Sequence, residues 1–437
     1  MPDAIQLPPI SIPASTSGFG TGGFGARNPI DGFSLSNDPK HLVSAQVSLA
    51  GGYPEDATVK EVIIGESLLN PSAHAAVTIQ SAIYTTPKNW DQYRCQPIDL
   101  YISDQLGDRT MRVSQQIYRC DNRRFANFNT GQIEELTLHS IDNSILKDAQ
   151  TIWDKSWKCS TPSQIVREAL QKIGASSTYV DDAGPARPYA AESIHPLQVI
   201  QQQSNVALFN GNDPSFLHYM TIDENSGQNR HHFTALTRLA GQSAPYEIYA
   251  SDTAITGNRG FNEGPFDNYR VAVTFSFPCD YDVLTDIMNG ISCDGVNLNS
   301  SFTFNYVNGV FDAVNKGMDI ANKFIAMTNL GTSDQQGAGG SGCETAVEKY
   351  LHLRQARMAL LDRDKIALRI TVPWSPWLHV GNKIKFIWIN RFDPAQSQIL
   401  YGSREYIIAH LTHNIQFGGY AVTNLDCIAN TFGQAGG

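Results

Sequence analysis

The chain has 437 residues, about three times the usual ~150-residue domain, so several domains are expected rather than one core. Only 17% of its residues are charged, against the ~25% usual, while 41% are apolar; this excludes general disorder and suits a surface covered by partners. A formal net charge of −10 excludes a protein that grips nucleic acid through a cationic footprint, but not one past which nucleic acid slides.

Residues 1–40 are Pro-rich and then Gly-rich, with Gly18, Gly20, Gly22, Gly23 and Gly25 set around Phe19 and Phe24. Such a segment cannot build its own core and reads as an extended arm. Met1 to Gly18 has no basic region and is broken by Pro2, Pro8, Pro9 and Pro13, so it is not a secretory signal. No stretch approaches the roughly 18 uninterrupted apolar residues of a membrane span. Gly18-Phe-Gly-Thr-Gly-Gly23 fits the dinucleotide pattern in letters only. It lacks the preceding strand and following helix that would aim helical N–H groups at a phosphate.

Residues 41–150 alternate. Val43, Ala45, Val47 and Leu49 share one face, as do Ala75, Val77 and Ile79, and again Ile98, Leu100 and Ile102, which predicts an antiparallel sandwich or barrel. Residues 151–264 read as an α+β unit. Thr161-Pro162-Ser163-Gln164 starts a helix that Gly174 stops, a second helix begins near Pro196, and Leu217 to Ile222, Asn225-Ser226-Gly227 and His232 to Leu236 form a hairpin. Residues 265–437 return to alternation as a second β region, with strands at Tyr269 to Phe277, Ile366 to Val372, Ile384 to Trp388, Tyr406 to Leu411 and Tyr420 to Ile428. A helix–linker–helix insertion occupies 309–361, with the linker at 331–342. The fold class is therefore mainly β with an α+β middle domain. The segment from Gly131 to Asn143 aligns without gaps on Gly418 to Asn430, matching at Gly, Leu138/Leu425, Ile141/Ile428 and Asn; this fits an internal duplication, or chance between two strands.

Little in the chain points to catalysis. The seven cysteines are odd in number and widely spaced, which suits inert thiols in a reducing cytosol. His410 and His413, and the adjacent His231 and His232, lie on strands where such spacings point to opposite faces, so neither pair chelates from one side. Asp280 and Asp282 read as helix caps, and Asp362 and Asp364 as a solvated turn, rather than paired acids. No catalytic, metal-binding or cofactor-binding residue is assigned. The partner-contact candidates are Ile10, Ile12, Phe19 and Phe24 of the arm, with Trp374 and Trp377 in a proline-held turn that presents indoles outward.

Three stretches resemble the baseplate hub proteins of contractile-tailed bacteriophages, the family of the T-even hub and of the hub half of type VI secretion spikes. They are Val62 to Leu69 running into Ala75 to Ile79; Thr161 to Gly174 with Pro196 to Ile200, Phe216 to Asp223 and His232 to Leu236; and Leu378 to Phe386 with Tyr401 to Ile408, His413 and Gly418 to Leu425. The resemblance covers roughly 40–430 and omits the arm and the insertion. It implies two tail-tube-like barrels separated by a helix-helix-hairpin domain, with the helical insertion in the second. It further implies a homotrimer, not an enzyme, that adapts a sixfold tail tube to a threefold central spike. Tube subunits, spike and neighbouring baseplate proteins would be its partners, DNA would pass through the lumen unbound, and its place would be the virion tail after assembly in the host cytoplasm. The competing reading is a tail-associated carbohydrate-binding or cell-wall-degrading protein.

Overall fold

The computed structural model describes residues 43–49, 57–83, 93–104, 109–128, 131–210, 215–251, 271–278, 366–389, 404–417 and 421–428. The arm at 1–40 and the insertion at 309–361 lie outside them, as do Asp280, Asp282, Asp362 and Asp364.

The first β region comprises β1 (Val43–Leu49), β2 (Ala57–Ser67), β3 (His74–Ile83), β4 (Pro97–Asp104), β5 (Thr110–Phe128) and β6 (Gly131–Ile141). Its hydrogen-bonded order is β1-β4-β5-β6-β3-β2. The alternation read from the sequence is realised in β4: Ile98, Leu100 and Ile102 are fully buried while Tyr101 between them is 47% exposed. With Val62, Ile64, Val77, Ile79, Met111 and Leu138 they form one core.

The middle region holds α1 (Asn143–Gln150), β7 (Trp153–Ser160), α2 (Pro162–Lys172), β8 (Ser177–Val180), β9 (Arg187–Ile194), α3 (Pro196–Val206), β10 (Phe216–Ile222), β11 (Asn229–Ala235) and α4 (Leu236–Ala240). The capping box at α2 forms as expected. Thr161 Oγ1 accepts from the Gln164 N–H at 3.3 Å, and Gln164 Oε1 accepts from the Thr161 N–H at 3.1 Å. Ile165, Val166, Ala169 and Leu170 of α2 pack with Val199 and Ile200 of α3 over Phe216 and Phe233. The strands β7, β8 and β9 add to the two helices and hairpin that the sequence predicts; β7 and β9 pair as a separate ribbon, and β8 joins the β10–β11 hairpin. Cys159 of β7 is disulfide-bonded, which corrects the reading of seven inert thiols.

The second β region comprises β12 (Tyr246–Ser251), β13 (Thr274–Ser276), β14 (Leu368–Pro373), β15 (Lys383–Ile389), β16 (Arg404–Gln416) and β17 (Ala421–Ile428). Their order is β12-β15-β16-β17-β14-β13. The Ala272 N–H donates to Tyr249 O at 2.8 Å, so the chain entering β13 meets β12 and the path closes on itself. Ile248, Leu368, Ile370, Ile384, Phe386, Ile408 and Leu425 fill this second core.

The two orders are the same path, strand for strand. They differ in that β1 and β4 are antiparallel whereas β12 and β15 are parallel. The match extends to an irregularity. β5 carries a bulge at Tyr118, between the pairs Ile117–Ser140 and Arg119–His139, and β16 carries one at Ala409, between Ile408–Cys427 and His410–Asp426; a second irregularity of β5, between Asp121 and Arg124, has no counterpart in β16. The alignment of 131–143 on 418–430 places Ser140 on Cys427 and His139 on Asp426. A bulge is a local feature that two unrelated ladders have no reason to share at one position. The duplication left open by four sequence matches is therefore carried by strand order and bulge together. The regions are not separate sheets, however: β2 pairs with β16, making one sheet of 12 strands.

Candidate functional site: the joint between the two barrels

Several buried polar groups, Glu66, Asp104 and Arg109 among them, gather where the two β regions and the middle region meet. β16 makes this joint possible through its length. Residues Arg404 to Ile407 pair with β15 on one edge, and beyond the bulge His410 to Gln416 pair on that edge with Ser67 to Glu61 of β2, while β17 covers the other edge. The bulge gives Ala409 a carbonyl that accepts the Leu68 N–H at 2.9 Å, and Lys60 O accepts from the Phe417 N–H, also at 2.9 Å, at the far end.

Glu66 of β2 has a fully buried side chain. Its carboxylate accepts from the N–H of Ile222 in β10 at 2.8 Å and of Val380, before β15, at 3.1 Å. His379 Nδ1 stands 3.2 Å from the same carboxylate, and its Nε2 stands 3.1 Å from Glu224 in the β10–β11 turn. Burial would lower the His379 pKa, but Glu66 and Glu224 outweigh it and push the ring up to about 10. The hydrogen bond from His379 in turn holds Glu224 below the usual carboxylate range, against its own burial. One ionic cluster, with Glu66 buried at its centre and Glu224 half-buried at its rim, thus binds the first barrel, the middle hairpin and the second barrel.

Arg109 is a second tie. Its guanidinium pairs with Asp104 at 3.1 Å, the two side chains being 2% and 0% exposed, and donates to Trp374 O at 2.5 Å. Trp374 follows β14, yet its ring, 1% exposed, lies in the core of the first barrel with Arg109 5.6 Å away. This corrects the expectation of an outward indole: the prolines bend the turn inward, and the first barrel supplies the cover. Trp377 is half-buried against the second core. Ile10, Ile12, Phe19 and Phe24 lie outside the described residues.

The β10–β11 hairpin makes the third tie. β10 is buried along both faces, with Phe216 in the middle core, Leu217 and Tyr219 in the second, and Met220 and Ile222 in the first. At the hairpin tip, Glu224 O accepts from Arg112 at 2.9 Å and Gly227 O from Ser114 at 2.8 Å, extending β5 where β6 has ended. Gly227 has φ +74°, and a Cβ there would stand 3.1 Å from the backbone of both Arg112 and Ser114, so no other residue fits without moving β5.

A buried Ser–His contact tests the enzymatic alternative. Ser144 Oγ lies 2.9 Å from His231 Nε2, and His231 Nδ1 lies 3.1 Å from His218. Ser144 also donates to Asp142. With that proton committed, His231 must donate to Ser144, the reverse of a base activating a nucleophile. Ser144 is 2% and His231 0% exposed, and burial lowers His231 to about 4, so the group is a neutral internal chain. On the same strand His232 faces the other way, stacked on Tyr219 and 2.9 Å from Thr221. His413 is enclosed 2.9 Å from Thr423. The reading of these histidines as strand residues on opposite faces agrees with their placement.

The fold and the joint define a duplicated two-barrel protein in which Glu66, His379, Asp104 and Arg109 tie the barrels and the middle hairpin together. No family model and no curated protein matches the sequence. Among solved structures the chain is similar to the tail protein of prophage MuSo2 from Shewanella oneidensis, at 11% identity and TM-score 0.48, covering 89% of this chain and 98% of that one. It is similar to the tail protein from Neisseria meningitidis at 10% identity and TM-score 0.45, covering 89% and 96%. A component of the Escherichia coli type VI secretion system, itself described as similar to bacteriophage T4 tail proteins, shares 11% identity at TM-score 0.45, covering 88% and 77%.

Proposed function

We propose that the protein is a structural baseplate hub of a contractile phage tail, without enzymatic turnover. Three copies form a ring of six barrels that adapts a sixfold tail tube to a threefold central spike, and the genome passes through the bore. The observation that carries this reading is the repeated six-strand path with its repeated bulge. A chain holding two equivalent barrels presents sixfold-like contacts on one side while keeping one set of unique segments per chain for a threefold partner. The charge supports the second part: three chains at −10 each carry −30, and a wall that does not bind phosphate does not retard DNA. Spike, tube subunits and neighbouring baseplate proteins are the partners, and the arm docks on them through Ile10, Ile12, Phe19 and Phe24.

Native mass measurement tests the assembly. The expected species has three times the mass of one chain, and a chain lacking residues 1–30 binds its neighbours more weakly. A chain that stays monomeric at high concentration contradicts the ring, and unchanged binding without the arm removes its assigned contact.

A further inference from the structure

Among the described residues, the intramolecular joint has an unfilled counterpart in each barrel. β16 beyond its bulge is an edge that its own barrel leaves open and that β2 of the other barrel fills. By the repeat, the equivalent receiving edge is β5 beyond Tyr118. β4 stops opposite Gln116, and among the described residues no strand lies on that edge from Asp121 to Phe128. The equivalent of β2 is β13, which pairs with β14 on one side and, among the described residues, with no strand on the other along Thr274–Ser276. Open strand edges are templates for pairing. The two edges lie in different barrels, on either side of the β2–β16 joint.

We infer that β13 of one copy pairs antiparallel with the β5 edge of a second copy, repeating between chains the joint that β2 and β16 make within one. This rests on the assembly proposed above and names its contact. The register follows from the ladders. Val62 lies opposite Val77 and Phe275 opposite Ile370, while Val77 and Ile370 lie opposite the aligned Leu138 and Leu425, so Phe275 stands for Val62. Ile415 and Phe125 lie opposite Ala421 and Glu134, which the same alignment equates. The internal pairs Glu61–Gln416, Val62–Ile415 and Ile63–Asn414 thus become Thr274–Ala126, Phe275–Phe125 and Ser276–Arg124 between chains. The contact joins two different surfaces, so each copy donates one edge and receives on the other, and the series ends only by closing into a ring.

The test is a cysteine pair in the full chain, Arg124→Cys with Ser276→Cys, oxidised and run without reductant beside native mass measurement. A disulfide needs Cα atoms within roughly 7 Å, so the pair should give on the order of tenfold more interchain cross-link than either single variant. The cross-linked species should match the native ring in mass. Ser276→Pro, which an edge strand tolerates, should lose the ring while keeping the monomer's thermal transition. A ring that forms without cross-linking, or that survives Ser276→Pro, overturns the joint and leaves the hub reading intact. An unmodified chain that never leaves the monomer overturns the hub reading and the joint with it.

Discussion

Glu66 shows how much one residue can hold. Its carboxylate satisfies two backbone N–H groups from different regions and faces an imidazolium, so removing its charge leaves His379 buried beside Glu224 alone. Glu66→Gln should cost about 3 kcal/mol or more in guanidinium unfolding at neutral pH, the range for breaking a buried pair; a loss under ~1 kcal/mol would remove Glu66 from its assigned role. The same cluster sets a pH dependence. His379 has its folded value raised from 6.5 to about 10, so its contribution is complete below pH 6.5 and is lost as pH rises towards 10. His74 and His231 are lowered to about 4, and His232 and His413 to about 3, chiefly by burial, so theirs is complete above pH 6.5 and is lost as pH falls towards 3. Thermal stability should therefore peak near neutrality, and Glu66→Gln should flatten the alkaline limb while sparing the acid one; flattening of both would contradict the assignment. None of this was visible in the sequence. Glu66 reads there as an ordinary strand carboxylate, and Trp374 as exposed, because the groups that bury them come from far along the chain, Arg109 being 265 residues from Trp374.

At the scale of elements, local chemistry was readable and distant pairing was not. The α2 capping box and the alternation of β4 are written in neighbouring residues and formed as expected. β7, with Asp154, Lys155, Ser156 and Lys158 among its eight residues, carries no apolar alternation and pairs with β9 all the same. β12 lies within the span read as the middle unit, yet a parallel partner from β15 makes it the opening strand of the second barrel. The bulge at Ala409 left no mark in composition, although it lets β16 leave β15 and take β2. Deleting Ala409 keeps Leu411, His413 and Ile415 in phase with Tyr406 and Ile408 but removes the bend and the acceptor for Leu68. Amide exchange at residues 61–67 should quicken strongly while β3 against β6 stays protected. Equal protection before and after would show that the bulge does not make the joint.

At the scale of the molecule, the sequence displayed the order β, α+β, β and four matched positions, enough to suspect a repeat. It could not display the shared strand path or the joint, because both depend on which edges meet. The central claim is that two equivalent barrels per chain convert a sixfold contact into a threefold one. Electron microscopy of the purified assembly, viewed down its axis without imposed symmetry, tests it most directly. The account predicts a closed ring with six barrel-sized lobes and threefold symmetry; six chains in a ring, or an open filament of single chains, would contradict it.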